Sequence, residues 1–425
     1  MIETPARTPT APSTQADVLV VGAGPAGSAC AQLLARQGLR TLLVDQHDFP
    51  REKVCGDGLI PDSHAAFKRL GVYDEVAALA QPVQHVRCVG ARGGHVDVPG
   101  TMSVLPRRQL DHILVRAAQR AGAELRTPLR FEAPLLEGER VVGARLQGPE
   151  GQPPLEVRAR WVVLATGAVP QALIAAGLCD RRTPTGTAVR AYVRHAELAR
   201  EITQLQVIWH GRLRGGYGWV FPGPDGVFNI GTGVIGSHSL EDGKGKRRGR
   251  NLREMFEDFC DVYPPAARLM REGELLGPLK GAPLRCSLRG VSGEHWGRPG
   301  LLVAGDAAGT TYAFTGEGIG KAMESGMLAA EALLHAMAHT SATADANTDA
   351  AVLQAYAAAL RQLQPQFVLY ERAGIVNDWP WLADLLIWRA RKSPRILRRM
   401  AGVLDETQNP ARLFTLSGIR KLMFE

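Results

Sequence analysis

A β-branched apolar run, Asp17-Val18-Leu19-Val20-Val21, leads straight into Gly22-x-Gly24-x-x-Gly27, and an Ala/Leu-rich stretch from Ser28 to Gln37 follows. The first run suits a strand buried on both faces, and the last suits a helix. Glycines at that junction have a chemical use. Gly22 permits a tight turn, Gly24 lets backbone approach a pyrophosphate, and Gly27 lets helix pack closely on strand. Pro25 and Ala26 complete the turn, where the helix start offers free N–H groups and partial positive charge to an anion. A second strand, Arg40 to Val44, ends at Asp45-Gln46, and a carboxylate there suits the two hydroxyls of an adenosine ribose. The pattern reads as a dinucleotide site and does not by itself separate NAD from FAD.

Other residues add to it. The run Leu301-Leu302-Val303-Ala304 ends at Gly305-Asp306, and Gly316-Glu317-Gly318-Ile319 opens a long helical stretch. Arg51, Lys53 and Cys55 stand close together in a glycine-flanked segment. That electropositive setting is expected to lower the thiol pKa, whereas an inert small hydrophobe is the ordinary use of a buried cysteine. Tyr217, Trp219 and Phe221 alternate along one strand, as sheet core or as the apolar wall of a cavity.

The elements that must position these groups belong to a chain of 425 residues, 45% hydrophobic and 22% charged. That length suits two or three domains, and that balance excludes a disordered chain and a multi-span membrane protein. A net charge of +8 is compatible with an anionic cofactor, anionic lipid or nucleic acid, but no nucleic-acid module accompanies it. Six cysteines stand singly, without zinc spacing or a disulfide pattern, which favours a reducing, cytoplasmic setting and no metal. Residues 1–15 lack an apolar signal region and read as a flexible leader. No transmembrane stretch is expected.

Along the chain, Val104 to Gly122 reads as a helix, and Glu139 to Leu146 and Leu155 to Arg160 as short strands. Trp161 to Ala165 is a further buried strand, and Thr183 to Thr232 alternates as an antiparallel sheet does. Ser237 to Asn251 is a charged, glycine-rich loop, either a solvated linker or a partner-docking loop. Ala350 to Glu425 reads as helical, with breaks expected around Pro365, Pro380, Pro394 and Pro410.

Taken together, these segments resemble the flavoprotein superfamily of aromatic hydroxylases, flavin halogenases and geranylgeranyl reductases. Gly305-Asp306 matches its ribityl-binding carboxylate, and Ala165-Thr166-Gly167 matches its strand-ending segment. Arg107-x-x-Leu110-Asp111 matches a helix start whose arginine reaches the cofactor, a surface arginine being the plainer alternative. Pro50-Arg51-Glu52-Lys53-Val54-Cys55-Gly56-Asp57-Gly58-Leu59 is similar to the geranylgeranyl reductase signature, whose eighth position takes Gly, Asp or Glu. Tyr217-Gly218-Trp219-Val220-Phe221-Pro222 and Phe314 to Ile319 match two further segments of that branch. One departure is the loss of the family's Asn-Pro before Phe314, where Tyr312-Ala313 stands instead.

The resemblance implies an α/β fold: a Rossmann-like FAD-binding domain with an antiparallel β-sheet substrate domain and a helical C-terminal region. FAD-binding residues would be 16–82, 104–182 and 285–340, substrate-domain residues 83–103 and 183–284, and the helical region 341–425. The implied cofactor site comprises Gly22, Gly24, Pro25, Ala26, Gly27, Asp45, Gln46, Arg51, Lys53, Cys55, Gly56, Arg107, Gly305, Asp306, Gly316, Gly318 and Ile319. Cys55, Tyr217 and Trp219 are the candidate catalytic residues. The implied reaction reduces a carbon–carbon double bond of an isoprenoid or lipid-like substrate by hydride transfer from reduced flavin. Its electron donor would be NAD(P)H or a reduced protein carrier, since no second Gly-x-Gly-x-x-Gly follows a strand. A monooxygenase or halogenase on the same scaffold, and an electron-transfer flavoprotein serving quinone or a protein partner, are the alternatives. The basic, tryptophan-bearing C-terminal helices read as solvated or as a peripheral membrane contact.

Overall fold

The computed structural model describes residues 14–179, 182–235, 250–289, 291, 295–339 and 346–404. Most of the leader and most of the charged loop after Ser237 lie outside these residues, as does Pro410. The leader nevertheless ends earlier than expected, because the strand Thr14–Val21 already pairs Thr14 and Gln15 with Val157 and Arg158.

Five parallel strands form the spine of the first sheet, in the order Leu301–Val303, Leu155–Leu164, Thr14–Val21, Thr41–Val44 and Glu124–Arg126. Their apolar runs are buried on both faces, as parallel sheets require. Leu155–Leu164 is one strand rather than the two expected. Its first half pairs antiparallel with Arg140–Gln147 and also parallel with the first strand, so no turn is needed between them. The helices Pro25–Arg36, Arg107–Arg120 and Ile319–His339 cover this sheet.

A second, nine-stranded sheet carries Gly186–Arg194, Val227–Ile235, Gly216–Pro222 and Leu205–Ile208, then Gln81–Val89 and His95–Val104. It is antiparallel except where Leu205–Ile208 runs parallel to Gln81–Val89.

The helix Ala346–Ala373 runs through Pro365, where a break was expected. Proline in a helix interior costs about 3 kcal/mol. Here its ring is exposed, while Leu360, Phe367 and Tyr370 are buried against the first sheet's core. Packing of that face outweighs the lost hydrogen bond. Tyr356 Oη on the same helix donates to Val303 O at 2.8 Å, fixing it to the end of the strand Leu301–Val303. Breaks do occur near Pro380 and Pro394, which open the helices Trp381–Ala390 and Pro394–Leu404.

Candidate active site

Val21 pairs with Leu164, and Leu164 with Val303, so three parallel strands end side by side. The Gly22–Gly27 turn, Ala165-Thr166-Gly167 and Gly305-Asp306 therefore emerge at one edge, where open α/β sheets bind ligands. A cavity of about 730 Å³ opens there. Every sequence-predicted site residue lines it except Gly27. A Cβ on Gly27 would lie 1.8 Å from Gly22 O, so that glycine serves the close packing of helix on strand instead.

The phosphate end brings three cations together, with Arg51 Nη2 also 3.4 Å from Asp45 Oδ2. The helix Pro25–Arg36 has no side-chain cap at Gly24, and Arg51 Nη2 and Arg107 Nη2 lie 3.7 and 3.8 Å from where a Gly24 Cβ would be. Both guanidiniums share Asp111: Arg107 Nε reaches Oδ1 at 2.6 Å and Arg51 Nη1 reaches Oδ2 at 3.0 Å. Burial, and then the nearby Arg107, push the Lys53 ammonium below its ordinary value, with Arg51 adding to the effect. Arg51 Nε and Thr166 Oγ1 are buried without a protein partner. A site with three converging cations, unspent donors and a helix N-terminus fits a pyrophosphate.

Asp45 accepts from Ala23 N at 2.9 Å and His47 N at 3.1 Å, which fixes its carboxylate at the ribose end. Asp306, at the other end, accepts from Thr311 Oγ1 at 2.8 Å, and burial raises its carboxyl above the usual range. These observations fit FAD, with the turn and cations at its pyrophosphate and Asp306 at a polyol.

Cys55 departs from the sequence expectation. Burial dominates and pushes the thiol above its ordinary 9.0, against the nearby Arg107 guanidinium, which favours the charged form. Cys55 is thus a thiol rather than a preformed thiolate at neutral pH.

Around it lies a buried polar network that motif reading missed. Asp57 accepts from Tyr192 Oη at 2.5 Å and Asn229 Nδ2 at 2.7 Å, and Arg107 N approaches at 3.3 Å. Asn229 also donates to Cys55 O at 2.7 Å and accepts from Trp219 Nε1 at 2.9 Å. Asp57 stands inside the quoted signature, but Tyr192 and Asn229 come from two other strands, whose register no local pattern announces.

Tyr217, Trp219 and Phe221 all face the cavity, with neighbouring ring centroids 6.2 and 6.3 Å apart. Tyr217 Oη donates to Thr315 O, joining this wall to the segment before Gly316. Beyond it the cavity continues between Val86, Val98 and Val207 of the second sheet and Leu386, Ile387 and Met400 of the C-terminal helices. The C-terminal helices, which carry no recognised motif, thus line an apolar branch. Where the Asn-Pro is lost, Tyr312 stacks on Tyr370 at 4.0 Å, and Phe314 stacks on Trp209 at 6.2 Å. Aromatic packing here holds a segment that proline would otherwise restrict.

Residues 15–194 match a family model described as an FAD binding domain. The chain is 32% identical over 347 residues to a menaquinone reductase of Mycobacterium tuberculosis (strain ATCC 25618 / H37Rv), covering 75% of this chain and 76% of that protein. To a digeranylgeranylglycerophospholipid reductase of Methanosarcina acetivorans it is 29% identical over 330 residues, covering 76% and 75%. A solved structure of a geranylgeranyl bacteriochlorophyll reductase-like protein from Thermoplasma acidophilum matches with TM-score 0.69 at 22% identity, over 97% of each chain. A flavin-dependent brominase matches with TM-score 0.71 at 20% identity, over 96% of this chain and 99% of that one. At those identities the two structures speak to the fold alone.

Proposed function

This chain belongs to the geranylgeranyl reductase family of FAD-dependent oxidoreductases, and we propose that it reduces a carbon–carbon double bond in an isoprenoid or lipid-like molecule. The observation that carries this reading is the single cavity that runs from the glycine turn past Cys55 into an apolar branch. A long hydrophobic substrate needs such a wall and few polar groups. The names of the relatives, one a quinone reductase and one a geranylgeranyl lipid reductase, support the same class of substrate.

Bound and reduced, FAD supplies the hydride equivalent. Gly22, Gly24, Arg51, Lys53 and Arg107 would hold its pyrophosphate, Asp45 and Gln46 its adenosine ribose, and Asp306 its ribityl chain. Cys55 supplies the proton that completes the addition of two hydrogens. As the thiol gives up that proton, the Arg107 guanidinium and the Asp57 N–H stabilise the charge on sulfur. Trp219 and Tyr217 form the apolar wall that places the double bond. NAD(P)H or a reduced protein carrier would restore the electrons.

Chemically reduced protein given a polyprenyl substrate without oxygen is expected to yield product heavier by two hydrogens, read by mass spectrometry. Product that gains oxygen or halogen, and only under air, would overturn the reading in favour of a monooxygenase or halogenase. Flavin reoxidation with no change in substrate skeleton would mark an electron-transfer protein.

No helix among the described residues is long and apolar enough to cross a membrane. We propose that the C-terminal helices instead rest on one. Trp379, Trp381 and Trp388 are 48%, 54% and 46% exposed, and Arg391, Lys392, Arg395 and Arg398 are exposed beside them. The same helices line the apolar branch, so lipid would meet the protein where the cavity takes its substrate. Neutralising Arg395, Arg398 and Arg399 is expected to weaken binding to anionic liposomes at low salt by about 1 kcal/mol per residue. Wild-type protein that ignores such liposomes would remove the membrane contact.

A further inference from the structure

We infer that Asp57 is a positioning residue that works with burial to keep the proton on Cys55, its carboxylate opposing the pull of Arg107 on the Cys55 sulfur. The inference rests on the reading of Cys55 as proton source and adds what sets that proton in place.

The backbone gives the first observation. Asp57 has φ +65, the left-handed region that glycine enters freely and aspartate only occasionally, at a smaller cost than bulkier residues. A non-glycine residue held in this conformation beside a reacting group points to a use for its side chain.

The side chain gives the second. Asp57 is fully buried, and its carboxylate is held by Tyr192 from the strand Gly186–Arg194, Asn229 from Val227–Ile235 and the backbone of Arg107. Through Asn229 the same network grips Cys55 O and Trp219 Nε1. One carboxylate thus joins the cysteine turn to the wall that faces the substrate.

Electrostatics gives the third. The groups facing Asp57 are Arg107, Arg190, Tyr192 and Cys55, together with the amide of Asn229. Arg190 is engaged by Glu52 at 3.0 Å and lies over the Tyr192 ring at 3.8 Å. Burial raises the Asp57 carboxyl to about 6 against the opposing help of Tyr192, Asn229, Arg190 and Arg107. It is therefore ionised at neutral pH. An ionised Asp57 raises the Cys55 thiol, whereas Arg107 lowers it. Without the carboxylate, burial alone is left to oppose Arg107 at the sulfur.

The linkage has a definite sign. A carboxyl whose folded value is raised from 3.8 to about 6 contributes stability below 3.8 that is lost as pH rises through 6. At neutral pH the fold therefore keeps this charge against its own stability.

The test is the pH profile of Cys55 alkylation by iodoacetamide, followed on the Cys55 peptide by mass spectrometry in FAD-loaded and FAD-free protein. In Asp57→Asn the midpoint is expected to fall by about one pH unit, the lower end of what a neighbouring charge does, making alkylation at pH 7.5 about tenfold faster. Asp57→Gly, which suits the backbone, is expected to show the same shift. An unchanged or raised alkylation midpoint in both variants would overturn the inference. The profile reads the thiol itself. A downward shift together with unimpaired reduction by Cys55→Ser would keep Asp57's control of the thiol and sink only the proton-source reading.

Discussion

Cys55→Ser protein is expected to retain its full complement of FAD and to reduce an isoprenoid double bond roughly 10²–10⁴-fold more slowly without oxygen. Retention follows from the proposed site: the cations, Asp45 and Asp306 assigned to the cofactor do not depend on the Cys55 sulfur. The loss follows from acidity. A serine hydroxyl is a far weaker acid than a thiol, and the Arg107 guanidinium that stabilises charge on sulfur cannot make up the difference. That range corresponds to about 3–5.5 kcal/mol of barrier. The pH dependence has a stated direction as well. Because burial holds the Cys55 thiol above 9.0, wild-type reduction should not fall across the neutral range through deprotonation of this group. It should decline on the alkaline side, and that decline should vanish in Cys55→Ser. Anaerobic turnover measured against pH for both proteins checks it. Unchanged turnover in the variant would remove Cys55 as proton source while leaving the cofactor site untouched.

What could be read in the sequence was what local pattern encodes. A β-branched run, a glycine turn and a helical run are contiguous, so the Gly22–Gly27 turn and Asp45 were legible before any contact was known. Gly305-Asp306 was legible for the same reason, and the register that sets Val21, Leu164 and Val303 side by side then placed both at one edge. Legibility fails where the deciding partner is distant in sequence. Asp57 finds Tyr192 and Asn229 across 135 and 172 positions, and nothing near Asp57 names them. The Cys55 thiol was misjudged because neighbouring charges can be seen in sequence and burial cannot. Pro365 was misjudged for a related reason: the local rule gives the cost of proline, and only the fold shows Phe367 and Tyr370 packed firmly enough to offset it. The apolar branch escaped notice because half of it comes from C-terminal helices whose sequence looks like any amphipathic surface.

Gly24→Val protein is expected to fold and to emerge colourless. Gly24 has φ −76, an ordinary extended conformation that valine adopts without strain. A Cβ there would meet only the flexible ends of Arg51 and Arg107, at 3.7 and 3.8 Å. The empty protein therefore has room for the side chain, and its thermal midpoint should stay close to that of cofactor-free wild type. The same side chain occupies the space through which backbone approaches the pyrophosphate and displaces two cations that would neutralise it. Overpacking costs about 1–3 kcal/mol even where neighbours relax, or roughly 10–10²-fold in affinity. Lost charge contacts add to that, so flavin should not survive purification. Gly27→Val provides the contrast. Its Cβ would sit 1.8 Å from Gly22 O, with helix and strand backbone on either side, so that variant should fail to fold rather than fail to bind. Flavin absorbance and circular dichroism separate the two outcomes. A folded Gly24→Val protein with full flavin occupancy would show that the cofactor does not lie against this turn, and the assignment of Arg51, Lys53 and Arg107 to its phosphates would fall with it.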